Sequence, residues 1–102
     1  MAELDPLIHS DARLRVISAL STIGDGNSIT FPRLRDILGM TGGNLSTHLR
    51  KLEDAGYIFQ SKTIQGRTPS TFVGITPKGR GAFLDYRAAL LALLGPANSG
   101  PE

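Results

Sequence analysis

Between Gly42 and Ala55, two kinds of side chain alternate at helical spacing. Leu45, Leu49 and Leu52 recur at i, i+4 and i+7, which at 100° per residue keeps them within about 40° of one line. The opposite half of such a helix carries Gly43, Asn44, Thr47, Arg50 and Lys51, with Ser46 and His48 on its flanks. These residue types share a capability. An Asn amide can bond two neighbouring groups on the edge of adenine, an Arg fork matches guanine, and a Thr methyl can meet the thymine methyl. Gly42 and Gly43 weaken the helix but permit close approach of a phosphate to the amides of its first turn. A second polar group, Lys62, Gln65, Arg67 and Thr68, has the donors to hold phosphate oxygens or reach the adjacent minor groove.

Other chemistries find little support. Cysteine is absent, and the two histidines, His9 and His48, lie far apart, so no metal centre and no thiol redox site is expected. Ser46 and His48 are spaced i, i+2 on a helix and point to different sides, which rules out a nucleophile–base pair. Without a phosphate-binding glycine loop or a convincing acid–base pair, the sequence does not read as an enzyme and implies no cofactor.

The elements that must position these residues follow from caps and periodicity. Asp5-Pro6 and then Ser10-Asp11 are helix-start signals, so residues 5–22 read as one bent helix or two abutting ones. Its apolar stripe is Leu14, Ile17 and Leu20, widened by Val16 and Ile23. A turn at Gly24–Ser28 leads through Ile29-Thr30 to a short helix over 31–38, which Gly39 closes. Thr41 caps the helix over about 42–55, and Gly56 ends it. Residues 57–64 and 70–76 are rich in β-branched and aromatic types, and the loop Gln65–Pro69 joins them into a hairpin with a basic tip. Thr76-Pro77 begins a last helix to about Leu94, and the polar tail 95–102 reads as disordered. The fold class predicted is mainly α with a small β-hairpin: a three-helix core plus wing, the winged helix-turn-helix plan, within a single domain over 1–94.

The charge distribution fits that plan. The chain has 102 residues and a formal net charge of +2. Residues 41–80 hold Arg50, Lys51, Lys62, Arg67, Lys78 and Arg80 against Glu53 and Asp54, a net of +4, while each flank is −1. The segment with the reader helix and the hairpin is the one that would face a polyanion.

The run Leu45–Ile58 resembles the recognition-helix-into-strand signature of small MarR- and ArsR-like winged-helix transcriptional regulators. Gly66-Arg67-Thr68-Pro69, followed by Ile75-Thr76-Pro77-Lys78-Gly79-Arg80, resembles their wing and strand-to-helix junction. The likeness covers about residues 5–94. It implies sequence-specific binding of double-stranded DNA, with the helix over 42–55 in the major groove and a wing over 62–70 on the backbone or minor groove. The cysteines and histidine cluster of the ArsR metal sensors are missing, so metal sensing is not implied.

After Arg87 the last helix reads Ala88-Ala89-Leu90-Leu91-Ala92-Leu93-Leu94, apolar on every side. A domain this small cannot cover all of it, and exposed apolar area marks an interface. Leu90, Leu91 and Leu94, with Leu4, Leu7 and Ile8 from the other end of the chain, are therefore expected to form a homodimer on a pseudo-palindromic site. So short a chain would be a repressor, and any regulation would need a small-molecule effector at the dimer interface. Phe83 and Tyr86 are candidate lining residues there, although their helical spacing is more often plain core packing. No apolar run approaches the ~20 residues that span a bilayer, and no signal peptide is evident, so a cytoplasmic protein is expected. The alternative reading is a winged-helix module that docks protein or RNA without specific DNA binding.

Overall fold

Thr41 and Thr76 each turn extended backbone into a helix start. Thr41 Oγ1 accepts from the Asn44 amide at 3.1 Å, and Thr76 Oγ1 from the Gly79 amide at 3.0 Å. In the computed structural model, which describes residues 3–65 and 67–95, the elements run α1 (Asp11–Ile23), β1 (Ile29–Thr30), α2 (Phe31–Leu38), α3 (Gly42–Asp54), β2 (Ile58–Gln65), β3 (Thr68–Ile75) and α4 (Pro77–Leu94). Between α2 and α3, Gly39 takes the left-handed conformation at φ +64°. Its amide reaches Asp36 O and the next amide, Met40, reaches Arg35 O, both at 3.3 Å. This closure sets the angle between the two helices, and a side chain at position 39 would oppose it.

The sheet is antiparallel in the order β1-β3-β2. Its long hairpin pairs Ile58 with Ile75 at the base and Gln65 with Thr68 at the tip. With Gln65 paired to Thr68, the ladder runs further toward the tip than the expected loop Gln65–Pro69 allowed. Pro69 pairs with Ile64 inside the ladder. That is tolerated because β1 reaches only Phe72 and Val73, which leaves the outer part of β3 with a neighbour on one side only. Ile29 and Thr30 were expected merely to lead into α2; they form a third strand against Val73 and Phe72.

A second correction concerns the N-terminus. Residues 6–8 make a turn, and helix begins only at Asp11. The Asp5 carboxylate, expected to cap a helix, accepts from the Leu7 amide at 2.9 Å and from the Tyr57 hydroxyl at 2.5 Å. That second bond lies 52 residues away in sequence, ties the arm to the start of the hairpin and holds the Tyr57 hydroxyl pKa up at about 12.

The core is one apolar cluster. Val16, Ile17 and Leu20 of α1 meet Leu34 of α2, the Leu45, Leu49 and Leu52 stripe of α3, and Ile58, Val73 and Ile75 of the sheet. Each fully buried aliphatic side chain contributes about 1.5–3 kcal/mol, and the three α3 leucines thereby fix which face of that helix looks outward. In α4, Tyr86 and Ala89 are buried and Ala82, Phe83 and Leu90 pack against the core, while Leu84, Leu91, Leu93 and Leu94 are exposed. At the other terminus Leu4 and Leu7 pack partly against the core. Ile8 is wholly inside it and offers no surface to a partner. The α4 helix ends at Gly95, whose amide reaches Leu91 O at 3.1 Å. The expected disorder of 95–102 otherwise falls on residues 96–102, outside those described.

Candidate nucleic-acid interface

Once its leucines are buried, α3 turns Gly43, Asn44, Ser46, Thr47, Arg50 and Lys51 to solvent, and all six are exposed. The Thr47 hydroxyl donates to Gly43 O at 3.0 Å, so its one proton is used within the helix and it presents a methyl and an acceptor oxygen. At the N-terminus, a β-carbon at Gly43 would meet nothing within 4 Å. Packing therefore does not demand a glycine there, and the end of the helix is open to a ligand.

The β2 strand places its side chains by alternation. Gln60 and Lys62 share the face of buried Ile58, and that face looks toward α3. Between helix and strand runs a groove of about 570 Å³ lined by Phe31, Ser46, Arg50, Glu53, Gln60, Lys62 and Thr71. Three of the sequence-selected residues, Ser46, Arg50 and Lys62, thus meet across one groove. Gln60 bridges it by donating to Glu53 Oε1 at 3.0 Å. Arg67 and Thr68 are exposed at the far end of the hairpin; Gln65 ends β2, and its side chain is outside the described residues. Among the described residues the ion pairs are Arg15–Asp11, Arg35–Asp36 and Arg80–Asp25. Arg50, Lys51, Lys62 and Arg67 pair with no carboxylate there, so their charge is available to an external anion.

His48 departs from the pattern. It is half-buried at the edge of the reader face, with Nδ1 3.4 Å from an Arg13 guanidinium nitrogen. Burial, then the charges of Arg13 and Lys51, hold its pKa below 6.5, so the ring is neutral at pH 7. Arg13 also donates to Leu7 O at 2.5 Å. The sequence reading missed Arg13 because the two partners are 35 positions apart, and it missed Gln60, Glu53 and Thr71. Period-two alternation from Ile58 would have flagged Gln60.

Tyr86 and Phe83 answer the core-packing reading. The Tyr86 ring is buried, with its hydroxyl 2.8 Å from His9 Nδ1, and Phe83 packs on the core. Among the described residues no group of three or more His, Asp or Glu side chains could hold a metal ion, and no helix is long and apolar enough to cross a membrane.

Comparison with known proteins matches this geometry. Residues 12–94 fit the family described as winged helix DNA-binding domain. An uncharacterised protein of Methanocaldococcus jannaschii is 32% identical over 87 residues, which span 85% of this chain and 91% of that one. The structure of a transcriptional regulator homologue from Pyrococcus horikoshii superposes with a TM-score of 0.78 at 28% identity, covering 86% of this chain and 84% of that one. A zinc-responsive MarR-family member from Lactococcus lactis shares the fold at a TM-score of 0.63 and 17% identity, over 86% of this chain and 57% of its own.

Proposed function

The chain belongs to the winged helix DNA-binding domain family, and from that premise we propose that it is a dimeric, sequence-specific transcriptional repressor of the MarR-like kind. The observation that carries this reading is the set of unpaired cations and short polar groups on the outer face of α3 and along the groove to the hairpin. In it, residues up to Leu94 act as one unit. The helix α3 enters the major groove, where Asn44, Thr47 and Arg50 read base edges; Lys51, Lys62, Arg67 and Thr68 hold the backbone beside it, and Gln65 is assigned there from its place in the sequence. Gly43 and Ser46 line the close approach. His48 acts at its edge. Occupying a promoter would by itself exclude polymerase, which is why repression is the simpler sign of control. The family and fold are those of transcriptional regulators rather than enzymes, and we place the protein in the cytoplasm with its DNA.

The exposed leucines of α4 supply the dimer contact. A two-fold pair would set two reader helices on successive major grooves, about 34–36 Å apart, as a pseudo-palindromic site requires. A small-molecule effector would act where α4 and the N-terminal arm meet that partner.

The division between readers and anchors is tested by two substitutions on preferred and random duplexes. Arg67→Ala is expected to weaken both about equally and to reduce the salt slope by roughly one per protomer. Arg50→Ala or Thr47→Ala should cost about 1–3 kcal/mol on the preferred site and relax its specificity. Identical behaviour of anchors and readers would refute the assignment, and loss of neither would favour a docking module for protein or RNA.

A pH series examines the edge of the face. The free protein holds His48 neutral, and a nearby phosphate would stabilise its protonated form, so the complex takes up a proton. Affinity at fixed salt is therefore expected to rise as pH falls from 7.5 toward 5.5, with His48→Gln flattening the trend. Parallel profiles for the two proteins would remove His48 from the interface.

A further inference from the structure

The tip of the hairpin is not uniformly polar. Ile64 is 76% exposed, and directly across the ladder from it stands Pro69, also exposed. Alternation along β2 puts Ile64 on the same face as Gln60 and Lys62, the face that looks toward α3 and its groove. A branched aliphatic side chain beside a proline, set out in water at the end of a hairpin, contributes nothing to the core cluster. Its neighbours narrow the choice of occupant. Lys62 lies two residues before it on that face, and Arg67 follows within the turn. An apolar tip flanked by cations suits a surface with anionic rims and an apolar interior.

We infer that Ile64 and Pro69 form an apolar tip that seats in the minor groove of duplex DNA and makes the hairpin a reader of A·T against G·C pairs. The inference rests on the DNA-binding reading above and adds a specificity-determining contact to it. The chemistry follows from the groove. Its walls are deoxyribose and its edges are phosphate, so an aliphatic pair meets the sugars while Lys62 and Arg67 meet the rims. Its floor differs between base pairs by one group, the exocyclic N2 amino of guanine, which is a donor. Neither Ile64 nor Pro69 can accept from that amino group. Over G·C the tip would strip water from an unpaired donor and collide with it; over A·T no such group projects. Because the contact carries no charge, it contributes affinity without adding to the salt dependence.

The test uses the whole protein and three versions of a preferred duplex, differing only in the segment flanking the major-groove site: A·T, G·C or inosine·C pairs. Inosine·C keeps the major-groove oxygen and ring nitrogen of G·C but lacks the minor-groove amino group. The native protein is expected to bind the A·T and inosine·C duplexes alike and the G·C duplex about tenfold more weakly. Ile64→Ser should bind all three within about twofold, at an unchanged salt slope and an unchanged melting temperature. An Arg67→Ala control should keep the discrimination, which separates an apolar reader from an arginine drawn to a narrow groove. If Ile64→Ser still discriminates, or the native protein does not, the tip is no reader, although DNA binding itself would stand. Failure of the native protein to bind any of the duplexes would instead overturn the underlying reading.

Discussion

Gly79→Ala is expected to lower the melting temperature by about 12 °C, although alanine is the better helix former. Two effects oppose each other at this position. Propensity alone favours alanine inside a helix by about 1 kcal/mol. Against it, a β-carbon at Gly79 would fall on the Tyr57 carbonyl oxygen and lie 2.7 Å from its carbonyl carbon. Both are backbone atoms and cannot swing aside as a side-chain end could. That same carbonyl accepts the Thr76 amide at 3.0 Å, so relief of the clash would loosen the junction that joins the end of α3, the base of the hairpin and the start of α4. Overpacking against backbone costs about 3 kcal/mol, and for a domain of this size each kcal/mol moves the midpoint by roughly 4–8 °C. Gly81, two residues on in the same helix, has open space around its α-carbon. Gly81→Ala should show propensity alone and raise the midpoint. Thermal denaturation of both variants is the check. If both rise, the close approach of α4 to Tyr57 is wrong.

Leu91→Glu should halve the mass seen in light scattering and weaken binding to a palindromic site by about 10²–10⁴-fold, leaving half-site affinity nearly unchanged. The magnitude comes from losing the second, effectively intramolecular, binding event. Leu91 is 55% exposed and Leu94 70%. With Leu84, one of the residues the sequence reading did not select, they lie on the side of α4 away from Tyr86 and Ala89. A glutamate at 91 would thus burden the partner contact rather than the protomer's own core, and its melting curve should retain cooperativity. An unchanged mass would remove α4 from the interface. The N-terminal half of the expected interface is already narrowed, since Ile8 is spent on the core.

What the sequence made legible depended on how local the signals were. The α3 helix carries its own evidence: three leucines in register, a capping threonine before them and a glycine after. Its outer face followed from arithmetic, and every residue selected on that face is exposed except the half-buried His48. The N-terminus misled because Asp5-Pro6 has the chemistry of a helix start, whereas the carboxylate is engaged by Tyr57 far along the chain. A two-residue strand such as Ile29-Thr30 has no periodicity to detect and exists only because β3 offers it an edge. The glycine and proline at 66 and 69 suggested a wide loop; the ladder runs on to Gln65 and Thr68 because Pro69 sits where one side of β3 is open. The contact of Arg13 with His48, and the bridge from Glu53 to Gln60, are products of packing that no local pattern announces.

In the proposed complex the outer face of α3 and the hairpin hold duplex DNA through cations that pair with no carboxylate among the described residues. Fluorescence anisotropy of a mixed-sequence duplex, titrated with the protein over a salt series, tests that contact most directly. Affinity is expected to fall linearly with log salt at about −0.9 per phosphate contacted, a slope near −5 when Lys51, Lys62 and Arg67 of each protomer neutralise one phosphate apiece. A folded protein that binds no duplex at low salt, or binds with no dependence on salt, would contradict the account.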